Sequence, residues 1–166
     1  MDAVSPKDSD LFNSPLEAGI RAVTVLEMLR PLELDLAEMV LLDHVLVHSG
    51  DLGGPPSLHP DLPGRKGELL VRRRLVEASL NLMQRFHLVG RRVSDDGLTY
   101  HATDEAAGYV ELLESAYSER LKTCASWVRD EMGARGKEVF LERVRSQLGE
   151  WTAAFVQSTS TGEHPA

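Results

Sequence analysis

The side chains with the greatest chemical reach are gathered in a short stretch of the chain. His44 and His48 stand four residues apart, with Asp43, Asp51 and His59 close in sequence. On a helix that spacing puts two imidazoles on one face, the arrangement that holds zinc when a third ligand is near. No glutamate sits between the histidines as in a metalloprotease helix, so satisfying helix-terminal and loop groups is the better use for them, and no metal is assigned. Asp43 stands among Leu41, Leu42 and Val45, where a carboxylate needs a partner if it is buried. Ser49 and Ser57 lack the setting of a nucleophile elbow, and Cys124 falls on an apolar helical stripe as a small hydrophobe. Gly53-Gly54-Pro55-Pro56 lacks the lysine and hydroxyl of a phosphate loop. No catalytic constellation, cofactor site or small-molecule substrate follows from these residues.

The second concentration is of charge. The chain carries 18 basic and 26 acidic residues, a net charge of −8. Yet between Gly64 and Arg92 eight basic residues (Arg65, Lys66, Arg72, Arg73, Arg74, Arg85, Arg91 and Arg92) face only Glu68 and Glu77. A basic patch on an acidic body fits an acidic partner surface or a polyanion. Consecutive helical residues turn by about 100°, so of Arg72, Arg73 and Arg74 at least one must approach the buried side. Arg91 and Arg92 alternate between the two faces of a strand.

The elements that must position these groups are legible in order. With 166 residues, of which 42 % are hydrophobic, the chain suits one domain with a real core. Ser14-Pro15-Leu16-Glu17 opens a helix whose apolar stripe is Leu16, Ile20, Val23, Leu26 and Leu29, with Glu17 and Arg21 paired off that stripe. Asp35 and Glu38 cap a second helix, apolar almost all round from Leu36 to Val47 and therefore central. Sixteen residues rich in glycine and proline follow, Ser49 to Gly64, a connection of a length that is usually functional or packed down. A third helix runs from about Gly67 to His87, with Val71, Leu75, Ala78, Leu82 and Phe86 on one stripe and Val76, Leu80 and Met83 beside it. Leu88–Val93 and Leu98–Ala102 flank an Asp-Gly turn and predict a hairpin. Thr103 caps helical sequence from Asp104 that carries Val110, Leu113, Tyr117, Leu121 and Val128, and a last helix spans Lys137 to about Val156.

The expected fold is mainly α with a small β-hairpin, a winged helix-turn-helix-like domain over 14–156. Its wing lies at about 88–102 and its C-terminal helices at about 104–156, between disordered tails at 1–13 and 157–166. The acidic, polar start is unlike a secretory signal, no run approaches a membrane span, and the single cysteine suits a reducing compartment, so the expected location is cytoplasmic.

Several segments together resemble a known family. They are Asn13-Ser14-Pro15-Leu16-Glu17-Ala18-Gly19-Ile20-Arg21-Ala22, Leu41-Leu42-Asp43-His44, Val47-His48-Ser49-Gly50-Asp51, Gly54-Pro55-Pro56-Ser57-Leu58-His59-Pro60 and Gly67-Glu68-Leu69-Leu70-Val71-Arg72-Arg73. Over about residues 13–155 the chain is similar to the middle components of bacterial ABC-three-component systems. The resemblance implies a non-enzymatic adaptor between an SMC-like ABC ATPase and an effector of the same operon, in anti-phage conflict systems of the Lamassu type. It marks Asp43, His44, His48, Asp51, His59, Glu68, Arg72 and Arg73 as a structural or interface network, not an active site. Arg65, Lys66, Arg72, Arg73, Arg74, Arg91 and Arg92 are the expected docking residues, with DNA contact inside the complex left open. The alternative is a winged-helix regulator that binds operator DNA.

Overall fold

A computed structural model describes residues 14–59 and 68–160, with side chains described over 14–59 and 71–149. Residues 1–13, 60–67 and 161–166 lie outside the described residues, and with them the expected N-terminal tail, the end of the expected loop at Gly64 and part of the expected tail at 157–166. Helix α1, Pro15–Met28, starts as its sequence predicts, the Ser14 hydroxyl accepting the Glu17 amide at 3.2 Å. Helix α2, Leu36–Val47, opens with a reciprocal capping box between Asp35 and Glu38, two otherwise orphaned amides satisfied at once. Met39, Leu42, Val45 and Leu46 on all its sides are buried, which makes α2 the centre of the core. A 3-10 turn, Ser49–Leu52, begins the long connection.

Helix α3, Glu68–Arg85, packs on both α1 and α2. Its buried face is rotated from the predicted one: Val76, Ser79, Leu80 and Met83 face the core with Arg72, while Val71 and Phe86 are 68 % and 53 % exposed. The helix ends where His87 adopts φ 60° and the Leu88 amide donates to the Met83 carbonyl at 3.0 Å. That is a left-handed helix terminus, a conformation usually given to glycine.

Strands β1, Val89–Ser94, and β2, Gly97–Ala102, pair antiparallel with Val89 opposite Ala102 and Ser94 opposite Gly97. Leu34, in the α1–α2 link, exchanges two backbone bonds with Tyr100 and ties the hairpin to the core. The helical sequence after the hairpin divides into α4, Ala106–Glu111, and α5, Ala116–Arg135, because Ser115 caps a new helix by accepting the Ser118 amide. Thr103 is not a cap; its hydroxyl donates to the His87 carbonyl at 2.6 Å. Gly136, at φ 85°, turns the chain into α6, Lys137–Ser160, which runs past the predicted end at Val156. The molecule is thus mainly helical with one two-stranded antiparallel hairpin.

Candidate functional site

Asp43 lies midway along α2 with 5 % of its surface exposed. Both its oxygens are engaged: Arg21 Nε donates to Oδ1 at 2.7 Å, and Arg72 Nη1 donates to Oδ2 at 2.5 Å. Arg21, fully buried, comes from α1, and Arg72, nearly so, from α3. One carboxylate therefore bridges two arginines and three helices. Burial would raise the Asp43 pKa, but the charges and bonds of Arg21 and Arg72 outweigh it and hold the carboxyl below its ordinary value. Burial likewise opposes charge on Arg21, and Asp43 more than reverses it, so the guanidinium stays cationic.

The network continues outward through Tyr117 of α5, whose hydroxyl accepts from Arg21 Nη1 at 3.4 Å and lies 3.5 Å from His59 Nε2. Burial, reinforced by the Arg21 charge, pushes His59 down to about 4, so it is neutral at physiological pH. His44 and His48 are buried with ring centroids 4.7 Å apart. Among the described residues, no three His, Cys, Asp or Glu side chains converge as a metal site. Beside Asp43, packing against Ala18, Val25, Met39 and Val76 leaves no space for a water molecule. The cluster is a closed ionic joint.

The loop after α2 is packed down upon α5 and α6. The Ser49 hydroxyl donates to the Pro55 carbonyl at 2.8 Å, and Ser57 accepts the Gly50 amide at 3.1 Å. Arg120 holds the Ser57 carbonyl at 2.9 Å, and Gln147 donates to the Asp51 carbonyl at 2.8 Å. Gly54 lies so close to the Trp127 ring that a Cβ there would stand 2.8 Å from its atoms. Trp127 in turn meets Phe140 edge-on at 6.1 Å.

The structure therefore divides the predicted docking residues. Arg72 belongs to the buried joint, away from the outer surface where Arg73, Arg74, Arg91 and Arg92 lie exposed. Arg65 and Lys66 fall outside the described residues, and Glu68 opens α3 with its side chain outside them. Asp43, His44 and His48 share the interior, His59 reaches it through Tyr117, and Asp51 sits at the exposed edge of the 3-10 turn. Arg21 was missed: as a partner of Glu17 it reads as a surface residue. The signal for it was Asp43, an acid on an apolar helix that required a buried cation.

The exposed arginines fall into two sets, those with an ion pair among the described residues and those without. Arg30 pairs with Glu27, Arg92 with Glu33, Arg129 with Asp130, Arg135 and Arg143 with Glu131, and Arg145 with Glu142. Arg73, Arg74, Arg85 and Arg91 make no ion pair among the described residues. No described helix is long and apolar enough to cross a membrane.

Comparison with known proteins adds one finding. The family model for the ABC-three component (ABC-3C) system Middle Component 2 matches residues 11–154, and the chain belongs to that family. Neither a curated protein nor a solved structure matches the chain.

Proposed function

From membership of the Middle Component 2 family, we propose that this chain is a non-catalytic adaptor linking an SMC-like ABC ATPase to an effector in a bacterial anti-phage conflict system. It works in the cytoplasm, without cofactor, by holding two other proteins in register. Middle components of three-component systems have partner components, and an adaptor needs a rigid body and an unsatisfied surface. Both are described above. The observation that carries the reading is the division of polar residues: Asp43, Arg21 and Arg72 are spent on joining three helices, while the arginines left without ion pairs face outward.

We read the scaffold as a winged helix, with α3 as the third helix and β1–β2 as the wing, supported by the order of elements and by the Leu34–Tyr100 bridge. The same arginines on α3 and β1 favour a second reading, a DNA-binding regulator whose guanidinium groups meet phosphates. The net charge of −8 opposes it.

The test is co-purification of the tagged chain with the products of its neighbouring genes, with intact-mass analysis and assay of bound nucleic acid. Recovery with an ABC-type ATPase and a third protein is expected. A lone homodimer retaining a specific DNA fragment would replace the adaptor with the regulator.

A further inference from the structure

Val71, Leu75, Ala78, Leu82 and Phe86 recur at intervals of four, three, four and four residues along α3 and the residue that follows it. Core packing uses the neighbouring face, Val76, Leu80 and Met83, and leaves this stripe only partly covered. Val71 and Phe86 at its ends are 68 % and 53 % exposed, Ala78 is exposed, and Leu75 and Leu82 are half-buried. Single exposed hydrophobes are ordinary. A row of five in helical register, spanning about 22 Å at 1.5 Å per residue with its two ends exposed, is not a scatter of single side chains.

The spacing identifies the shape of what covers it. Intervals of four and three are the seam along which a second helix seats its own apolar residues as knobs between these. The border identifies its charge. At about 100° and 1.5 Å per residue, Arg74 and Arg85 fall in line along the solvent edge of the stripe, about three turns apart. Neither makes an ion pair among the described residues, whereas most other exposed arginines do. A second copy of α3 would set these guanidinium groups against their own kind. Nucleic acid would pair with the arginines but has no use for a leucine seam.

We propose that this face of α3 binds an acidic amphipathic helix of another subunit of the assembly, with leucine-like residues in the stripe and carboxylates against Arg74 and Arg85. The proposal rests on the adaptor reading and specifies its surface. The stripe supplies affinity through apolar burial, and the arginines supply orientation and encounter rate.

The test places a photo-reactive benzoylphenylalanine at position 86 of the full chain, co-expressed with its neighbouring genes, and maps the cross-linked peptide by mass spectrometry. The expected product joins α3 to a glutamate- and leucine-rich helix of another operon-encoded subunit. In parallel, Val71→Asp with Phe86→Asp lowers retention of that subunit about tenfold or more, as loss of two anchors should. Arg74→Glu with Arg85→Glu lowers it too, and circular dichroism verifies that each variant is folded. A cross-link to a second copy or to nucleic acid overturns the proposal. So does an assembly that forms undiminished with the stripe substituted, which leaves the adaptor reading standing. If the native chain joins no operon product, the adaptor reading falls and this proposal with it.

Discussion

Arg72 and Arg74 are two residues apart on α3 and live in opposite environments. Arg72 is 8 % exposed and bound to a carboxylate that a second arginine shares; Arg74 is exposed and, among the described residues, without an ion pair. The contrast extends to the regions around them, a buried joint of opposite charges among three helices and a solvated face whose arginines make no ion pair among the described residues, beside an apolar seam. A buried charge is tolerated only with full compensation, so the joint resists change. An exposed charge costs the fold little, so the face is free to be shaped by a partner.

Removing the anion at the joint should give the largest effect. Asp43→Leu removes the carboxylate that Arg21 and Arg72 share and should cost about 3–5 kcal/mol, a large fraction of the stability of a domain. Urea denaturation checks it, and a loss below about 1 kcal/mol would mean that the joint is not dry. Next is Gly54→Ala, which drives a methyl into the Trp127 ring and should cost about 1–3 kcal/mol, with an altered Trp127 emission spectrum.

A pH series sharpens the same comparison. His59 is held down to about 4 when folded and titrates near 6.5 when unfolded, so the unfolded chain takes up the proton first. Its contribution to stability is whole above about pH 6.5 and is lost as pH falls towards 4. His59→Gln should flatten stability over that window relative to the native chain, as thermal melts from pH 4 to 7 will reveal. Below it, the Asp43 contribution is lost in turn as pH falls through its depressed folded pKa. At the helix end, His87→Gly relieves a left-handed backbone and should add about 0.5–1 kcal/mol. The smallest effect belongs to the outer face, where Arg74→Glu with Arg85→Glu should change stability by less than about 0.5 kcal/mol. A larger change would assign these arginines to the fold and not to docking.

Much of this was legible in the residues. Ser14 and the Asp35–Glu38 pair announce two helices, the apolar run of α2 announces its central place, and Asp-Gly announces the hairpin. The partner demand of Asp43 was legible too. The rotation of α3 was not. That helix has two apolar stripes, and the longer one, Val71 to Phe86, reads as the core because periodicity counts apolar residues without knowing what lies opposite. What decides is Asp43 on α2, which draws Arg72 inward and turns the longer stripe towards solvent. The division between α4 and α5 was hidden for a similar reason: Val110 and Leu121 keep helical phase across a break that Ser115 imposes. Arg21 was obscured by Glu17, a nearer partner in sequence than the one it takes in space.

The shared carboxylate also has a mechanical meaning. Grease between helices shears: side chains exchange one apolar neighbour for another as the rods slide, at modest cost. Asp43 offers no such exchange, because each oxygen is claimed by a guanidinium from a different helix, and a slip of either rod strands a charge in the interior. Helices α1 and α3 are therefore riveted through α2, and a load applied along one is borne by all three.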